Sequence, residues 1–258
     1  VATLGSGENL AGPSLSPVTD DGSVFFLSLS KLSPFDENAV RDVYLRVDGT
    51  TKAVSVGDFP PDNGVFGNAS AVGLAAGAGH VYTLRPLNDL TQSEQLYLWD
   101  ISANAFSRQL VGNFGVTSAA LAESGLVLAL STHDDTIVSG DANGRQDVLL
   151  YNAVTGAFSL VSISPDGQAG NGDSHHPAIS DDGTRIAFQS NATDLTAMPT
   201  ANETGVYLRD LHVGQTRKLD VRIDGQGSLP AGPPSISGDG RWVGFSSSDS
   251  GLVVGDSN

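Results

Sequence analysis

Cysteine is absent from this 258-residue chain. That removes a disulfide framework and thiolate metal ligation, and it leaves the redox compartment open. Cations are scarce: 13 Lys and Arg stand against 29 Asp and Glu, a formal net charge of -16, and only three of the cations are lysines. Such a charge repels phosphate backbones and anionic headgroups, so nucleic acid is not an expected partner. No apolar run approaches the roughly 20 residues of a membrane helix, so membrane insertion is not expected either. The opening VATLGSGENL lacks the basic and apolar regions of a signal peptide. Sparse lysine with 31 glycines and abundant Ser, Thr, Asp and Asn fits a turn-rich protein outside the cytoplasm. The expected location is extracellular, cell-surface or periplasmic, in a bacterium.

Helical periodicity is missing too. Apolar residues alternate over short stretches bounded by Gly, Asp and Asn, the mark of strands, so the fold class reads as all-β. The strands recur in order. VTDDGSVFFLS, ISDDGTRIAFQS and ISGDGRWVGFSS share an apolar residue, a Ser or Thr, a turn closed by Asp-Gly and a second apolar strand. AAGAGHVYTLR and LAESGLVLALS keep the turn glycine without its Asp. Each unit continues into a third strand (DVYLRV, QLYLWD, DVLLYN, GVYLRD) and a fourth. The units run approximately 12–69, 70–118, 119–175, 176–233 and 234–258, with 1–11 as a closing or preceding-blade strand. A four-stranded sheet of this size cannot bury both faces alone, and radial stacking of such sheets gives a β-propeller. Four complete units plus a partial fifth are expected, in a single propeller domain.

HPAISDDGTRIAFQS with GVYLRDL, and PPSISGDGRWVGFSS, resemble the WD40-like (PD40) repeats of the TolB type. The resemblance implies a propeller and, commonly, export. It implies no particular reaction, because such folds serve as binding platforms, assembly modules and enzyme scaffolds alike. The fifth unit supplies only two strands before the sequence stops. Either a partner exchanges a strand into that open blade, or the sequence is a fragment of a larger propeller; an unprotected sheet edge favours the fragment.

In an antiparallel four-stranded unit, the turns joining strands one to two and three to four lie at one end, and the remaining connections lie at the other. The first set is tight and the second is long: 31–41, 57–69, 132–146, 163–175, 191–204 and 221–232. Binding residues concentrate on long loops held by a rigid scaffold, so the long-loop face is the candidate functional face. On it, Asp36, Asn38 and Asp42 repeat the spacing of Asp141, Asn143 and Asp147, each set leading into a third strand. Carboxylate, amide and carbonyl oxygens in this order suit calcium, a candidate cofactor. Equally, they suit an Asx turn that starts a strand without any ion. The corresponding positions are Asp89, Thr91 and Gln95 in the second unit and Thr200, Asn202 and Val206 in the fourth, both poorer in charge.

His133, Asp134 and Asp135 share one long loop, and His175 and His176 end another. If they converge, zinc binding or acid/base chemistry becomes available. No diagnostic catalytic motif accompanies them. The preferred expectation is therefore a noncatalytic binding or assembly module that takes a protein or glycan ligand through its long-loop face. A carbohydrate-active or other hydrolytic enzyme using the loop His and Asp residues is the alternative.

Overall fold

The computed structural model describes residues 24–28, 42–47, 49–53, 70–74, 80–86, 94–100, 107–113, 115–197, 204–224 and 230–256. Among these there is no helix, and hence none long and apolar enough to cross a membrane. The strands are β1 (Val24–Ser28), β2 (Asp42–Val47), β3 (Thr50–Ala53), β4 (Ser70–Leu74), β5 (His80–Pro86), β6 (Glu94–Asp100), β7 (Ser107–Asn113), β8 (Ser118–Leu121) and β9 (Val127–Thr132). They continue as β10 (Asp147–Asn152), β11 (Ala157–Leu160), β12 (Ser174–Ile179), β13 (Arg185–Ser190), β14 (Gly205–Asp210), β15 (Gln215–Lys218), β16 (Ser235–Ile236) and β17 (Val243–Gly244).

Pairing follows chain order throughout. β4 to β7, β8 to β11 and β12 to β15 each form a four-stranded antiparallel sheet, flanked by the three-stranded β1–β2–β3 and the two-stranded β16–β17. The first strands of successive sheets lie side by side: β4 against β8, β8 against β12, and β12 against β16. They therefore form the inner edge of the stack. Among the described residues the sheets do not join into a closed ring.

Alternation along β9 and β10 explains the stacking. Leu128, Leu130, Leu149 and Tyr151 point to one face of the third sheet, where they meet Leu96 and Val116. Ala129 and Val148 point to the other, where they join Ile179, Ile186, Phe188 and Tyr207. Both faces are buried, as period-two side chains require when a sheet is sandwiched between neighbours. The rings of Phe188 and Tyr207 stack at 6.0 Å within the fourth sheet's contribution.

The Asp-Gly turns share one geometry. Asp182 Oδ1 accepts from Ser180 Oγ at 2.6 Å and from the Thr184 amide at 2.9 Å, while the Gly183 amide donates to Ser180 O at 2.9 Å. Asp239 repeats this with Ser237 Oγ at 2.6 Å and the Arg241 amide at 3.0 Å, and the Gly240 amide closes on Ser237 O at 2.8 Å. Gly183 and Gly240 have φ of 71° and 65°, the left-handed region where glycine carries no Cβ penalty. The third unit lacks the Asp, yet its turn has the same form. Ser124 Oγ accepts the Leu126 amide at 3.2 Å, and the Gly125 amide donates to Ala122 O at 2.9 Å. The turn glycine of the second unit, Gly79, lies outside the described residues.

At the same end, Asn152 Oδ1 accepts the Val154 amide at 2.9 Å, and Asp210 Oδ1 accepts the His212 amide at 2.9 Å. These side chains start the turns between third and fourth strands, as Asx residues do.

Candidate functional site

The long connections meet at the opposite end of the sheets and are tied together. Asn143 Nδ2 donates to Gly170 O at 2.7 Å, the Gln146 amide to Asp173 Oδ1 at 3.0 Å, and the Asn171 amide to Asp194 Oδ1 at 2.9 Å. Three loops, each following a different strand, thus share one face.

Within the first of them, Asn143 makes an Asx turn: its Oδ1 accepts the Arg145 amide at 2.7 Å. Its amide nitrogen also donates to Asp147 Oδ2 at 2.7 Å. Asp147 is fully buried at the start of β10 and accepts from Ser162 Oγ at 2.6 Å, while that same Oγ accepts the Val148 amide at 3.0 Å. Burial pushes the Asp147 carboxyl up to about 7 against the two side-chain hydrogen bonds, with the negative charges of Asp141 and Asp135 adding to the rise. Asp141 is raised for the same first reason, burial, and next by Asp135.

Of the matching set in the first unit, Asp36 and Asn38 lie outside the described residues. The backbone of Asp42 opens β2 and pairs with Ser28, just as Asp147 opens β10 and pairs with Thr132. In the fourth sheet the residue in this register is Gly205, paired with Ser190, rather than Val206. The irregular loop lengths shift the correspondence by one, which sequence spacing alone did not resolve. Asp220 takes over there: its Oδ1 accepts the Val206 amide at 2.9 Å, the role of Ser162 one sheet earlier. A Cβ on Gly205 would stand 3.0 Å from Asp220 Oδ1, so the two positions exchange a carboxylate between strands.

The histidines divide. His133 is exposed, and its neighbour Asp134 caps a local turn by accepting from the Thr136 amide at 2.9 Å and the Thr136 hydroxyl at 2.5 Å. Asp135 Oδ2 accepts the Gly144 amide at 2.8 Å, across the same loop. His175 and His176 sit instead on β12, with their rings edge to face at 4.8 Å. Burial, then the His176 charge, hold the His175 imidazole below its ordinary value, opposed by Asp173.

His176 is the unusual member. Its φ is 51°, the sole positive value at a non-glycine among the described residues, and it falls where the β12–β13 register shifts between His175 and Ala178. Its amide donates to Ser118 Oγ at 3.1 Å on the neighbouring inner strand. Its Nδ1 lies 2.7 Å from Gln189 Oε1. Gln189 Nε2 donates to Ala231 O at 2.5 Å, so Oε1 is the accepting end and His176 carries its proton on Nδ1. Nε2 is then the acceptor of an exposed ring, and among the described residues nothing donates to it. Ser118 Oγ continues to Ser131 Oγ at 2.6 Å and Ser131 to Thr117 Oγ1 at 2.9 Å, where Gln146 Nε2 also binds. This polar chain joins the third and fourth sheets and reaches Ala231 ahead of β16. Gln189 and Ser118 carried no signal of spacing or motif that sequence reasoning could have used.

Four-stranded antiparallel sheets whose first strands line a common edge define a β-propeller. Solved structures match at the level of that fold. The chain aligns with a prolyl endopeptidase structure at TM-score 0.55 and 12% identity, over 86% of this chain and 30% of that one. It aligns with the tricorn protease at TM-score 0.51 and 11% identity, over 89% of this chain and 18% of that one. A putative TolB from Agrobacterium tumefaciens is 16% identical over 89% of this chain and 73% of its own, at TM-score 0.49. The chain therefore spans less than a third of either protease. No family model matches the sequence, and neither does any curated protein.

Proposed function

We propose that this propeller is a noncatalytic module of the PD40 kind that binds a protein segment or a glycan at the inner edge of its long-loop face, outside the cytoplasm. The observation that carries the reading is His176: an exposed imidazole in a left-handed backbone conformation, clamped between Ser118 and Gln189, with Nε2 unbonded among the described residues. A non-glycine residue held at positive φ costs of order 1 kcal/mol, and such strain collects at sites of recognition. Amide, hydroxyl and imidazole groups along one rim match the hydroxyls of a sugar or the backbone of an extended peptide. Scarce lysine and high acidity support the location.

Hydrolytic chemistry has less support. Asp134 caps its own turn, and no hydrogen bond among the described residues joins His133 or a carboxylate to the His175 and His176 rings. Probing glycan and peptide arrays with the wild-type chain and with His176→Ala tests the proposal. Ligands retained by wild type and lost by the variant support it. Equal retention, or turnover of ester and glycoside reporters that disappears with His175→Ala, overturns it.

A further inference from the structure

Four carboxylates are buried among the described residues: Asp141, Asp147, Asp220 and Asp249. Two have a counter-ion. Arg222 Nη1 stands 2.6 Å from Asp249 Oδ1, and Lys218 Nζ stands 4.0 Å from Asp220 Oδ2. Among the described residues Asp141 and Asp147 have none. The charges that reach Asp141 are the negative ones of Asp135 and Asp134, and those that reach Asp147 are the negative ones of Asp141 and Asp135. Asp141 is hydrogen-bonded to the Asn143 backbone and to the Asp147 side chain. Arg145, the cation of that loop, is exposed. Asp141 is 6% exposed, and its buried Oδ1 has no hydrogen-bond partner; the buried Oδ1 of Asp135 has none either. A buried anionic oxygen without donor or cation costs several kcal/mol, so natural structures rarely leave one unmatched. Here two stand in one electrostatic cluster.

We propose that the 133–146 loop holds one divalent cation of calcium's chemistry between Asp135 and Asp141, with Asp147 hydrogen-bonded to Asp141. The available donors are all oxygen, which favours a hard cation over zinc, and a loop of this kind meets calcium's loose geometry better than magnesium's rigid octahedron. Asn143 is not a ligand, because its oxygen is engaged with the Arg145 amide and its nitrogen with Asp147 and Gly170. Asp147 likewise has both oxygens hydrogen-bonded, to Ser162 and Asn143. No group of three His, Cys, Asp or Glu side chains among the described residues is arranged to hold a metal. Two carboxylates, completed by backbone carbonyls and water, make a weak site with Kd on the order of 0.1–1 mM. The ion would fasten Asp135 to Asp141 across a loop already tied to Gly170 and Asp173, and so order the long-loop face. Such an ion would bind independently of any ligand at His176.

Hydrogen exchange of the 133–146 segment in the full chain reads this site directly, in EGTA against 10 mM calcium chloride. With Kd of about 1 mM, calcium slows exchange there about tenfold in wild type, and the slowing is lost in Asp141→Asn and in Asp135→Asn. Asp135→Asn serves if Asp141→Asn loses its native circular dichroism in EGTA. Unchanged wild-type exchange in calcium, or equal slowing in both variants, overturns the site. Equal slowing by magnesium chloride overturns the calcium assignment.

Discussion

Lys218 Nζ stands 4.0 Å from Asp220 Oδ2 at the base of the fourth sheet, with both side chains nearly or fully buried. One sheet earlier the same two positions, read from strand register, are Leu160 and Ser162. A charged pair and an apolar-hydroxyl pair thus solve one packing problem: each supplies an acceptor for the amide that follows the start of the third strand.

That equivalence predicts a coupled outcome. Lys218→Leu leaves a buried carboxylate without its cation and costs about 3 kcal/mol, since breaking one partner of a buried pair strands the other. Lys218→Leu with Asp220→Ser reproduces the third sheet and recovers more than half of the loss. Urea unfolding of both variants and of Asp220→Ser alone closes the cycle; a double variant no more stable than Lys218→Leu refutes the equivalence.

The turn geometry predicts a difference between two glycines. Gly183 and Gly156 both have left-handed φ, 71° and 68°. A Cβ at Gly183 would meet Val127 side-chain carbons at 3.2 Å, whereas nothing lies within 4 Å at Gly156. Gly156→Ala therefore shows the backbone cost alone, about 1 kcal/mol. Gly183→Ala loses more, because the neighbouring blade must yield as well. Equal changes in the urea midpoint would show that Val127 moves without cost.

Much of this fold was legible because propellers repeat. Period-two apolar strands and recurring turn glycines fixed the four-strand unit, and the turn at Gly125 kept its form although Ser124 stands where other units have Asp. The candidate site was legible only in part. The Asp141, Asn143 and Asp147 spacing singled out a loop in which Asn143 makes the Asx turn, while the charge that reaches Asp141 first comes from Asp135 on the other arm. His176 was visible as a loop histidine; its backbone strain and its clamp by Ser118, 58 residues away, arise from blade packing that no local pattern encodes.

His175 gives the chain a pH dependence. Burial and the His176 charge lower its folded-state value, so near pH 6 the unfolded chain binds more protons than the folded one. The His175 contribution is full above the ordinary value of about 6.5 and falls as pH drops from there toward the depressed value, whereas Asp147, raised to about 7, contributes in the opposite sense over the same range. His176 and Asp173 are the charged groups facing it, and Asp173 opposes the shift. His175→Asn flattens this limb of the stability curve measured by urea unfolding between pH 7.5 and 5. An unchanged slope would assign the loss to another group.

The strain at His176 can be separated from its side-chain contact. His176→Ala and His176→Gly remove the same bond to Gln189 and the same imidazole, so any difference between them belongs to the backbone at φ 51°. Glycine accepts that conformation without the Cβ clash that alanine keeps. His176→Gly is therefore more stable than His176→Ala by about 1 kcal/mol, the reverse of what glycine does within an ordinary strand. If the conformation is maintained for recognition, both variants lose the ligand while the glycine variant regains stability, as expected where a strained residue is kept for function. Urea unfolding beside array binding reads both quantities. A glycine variant less stable than the alanine variant would place β12 in an ordinary extended conformation and remove the strain from the argument.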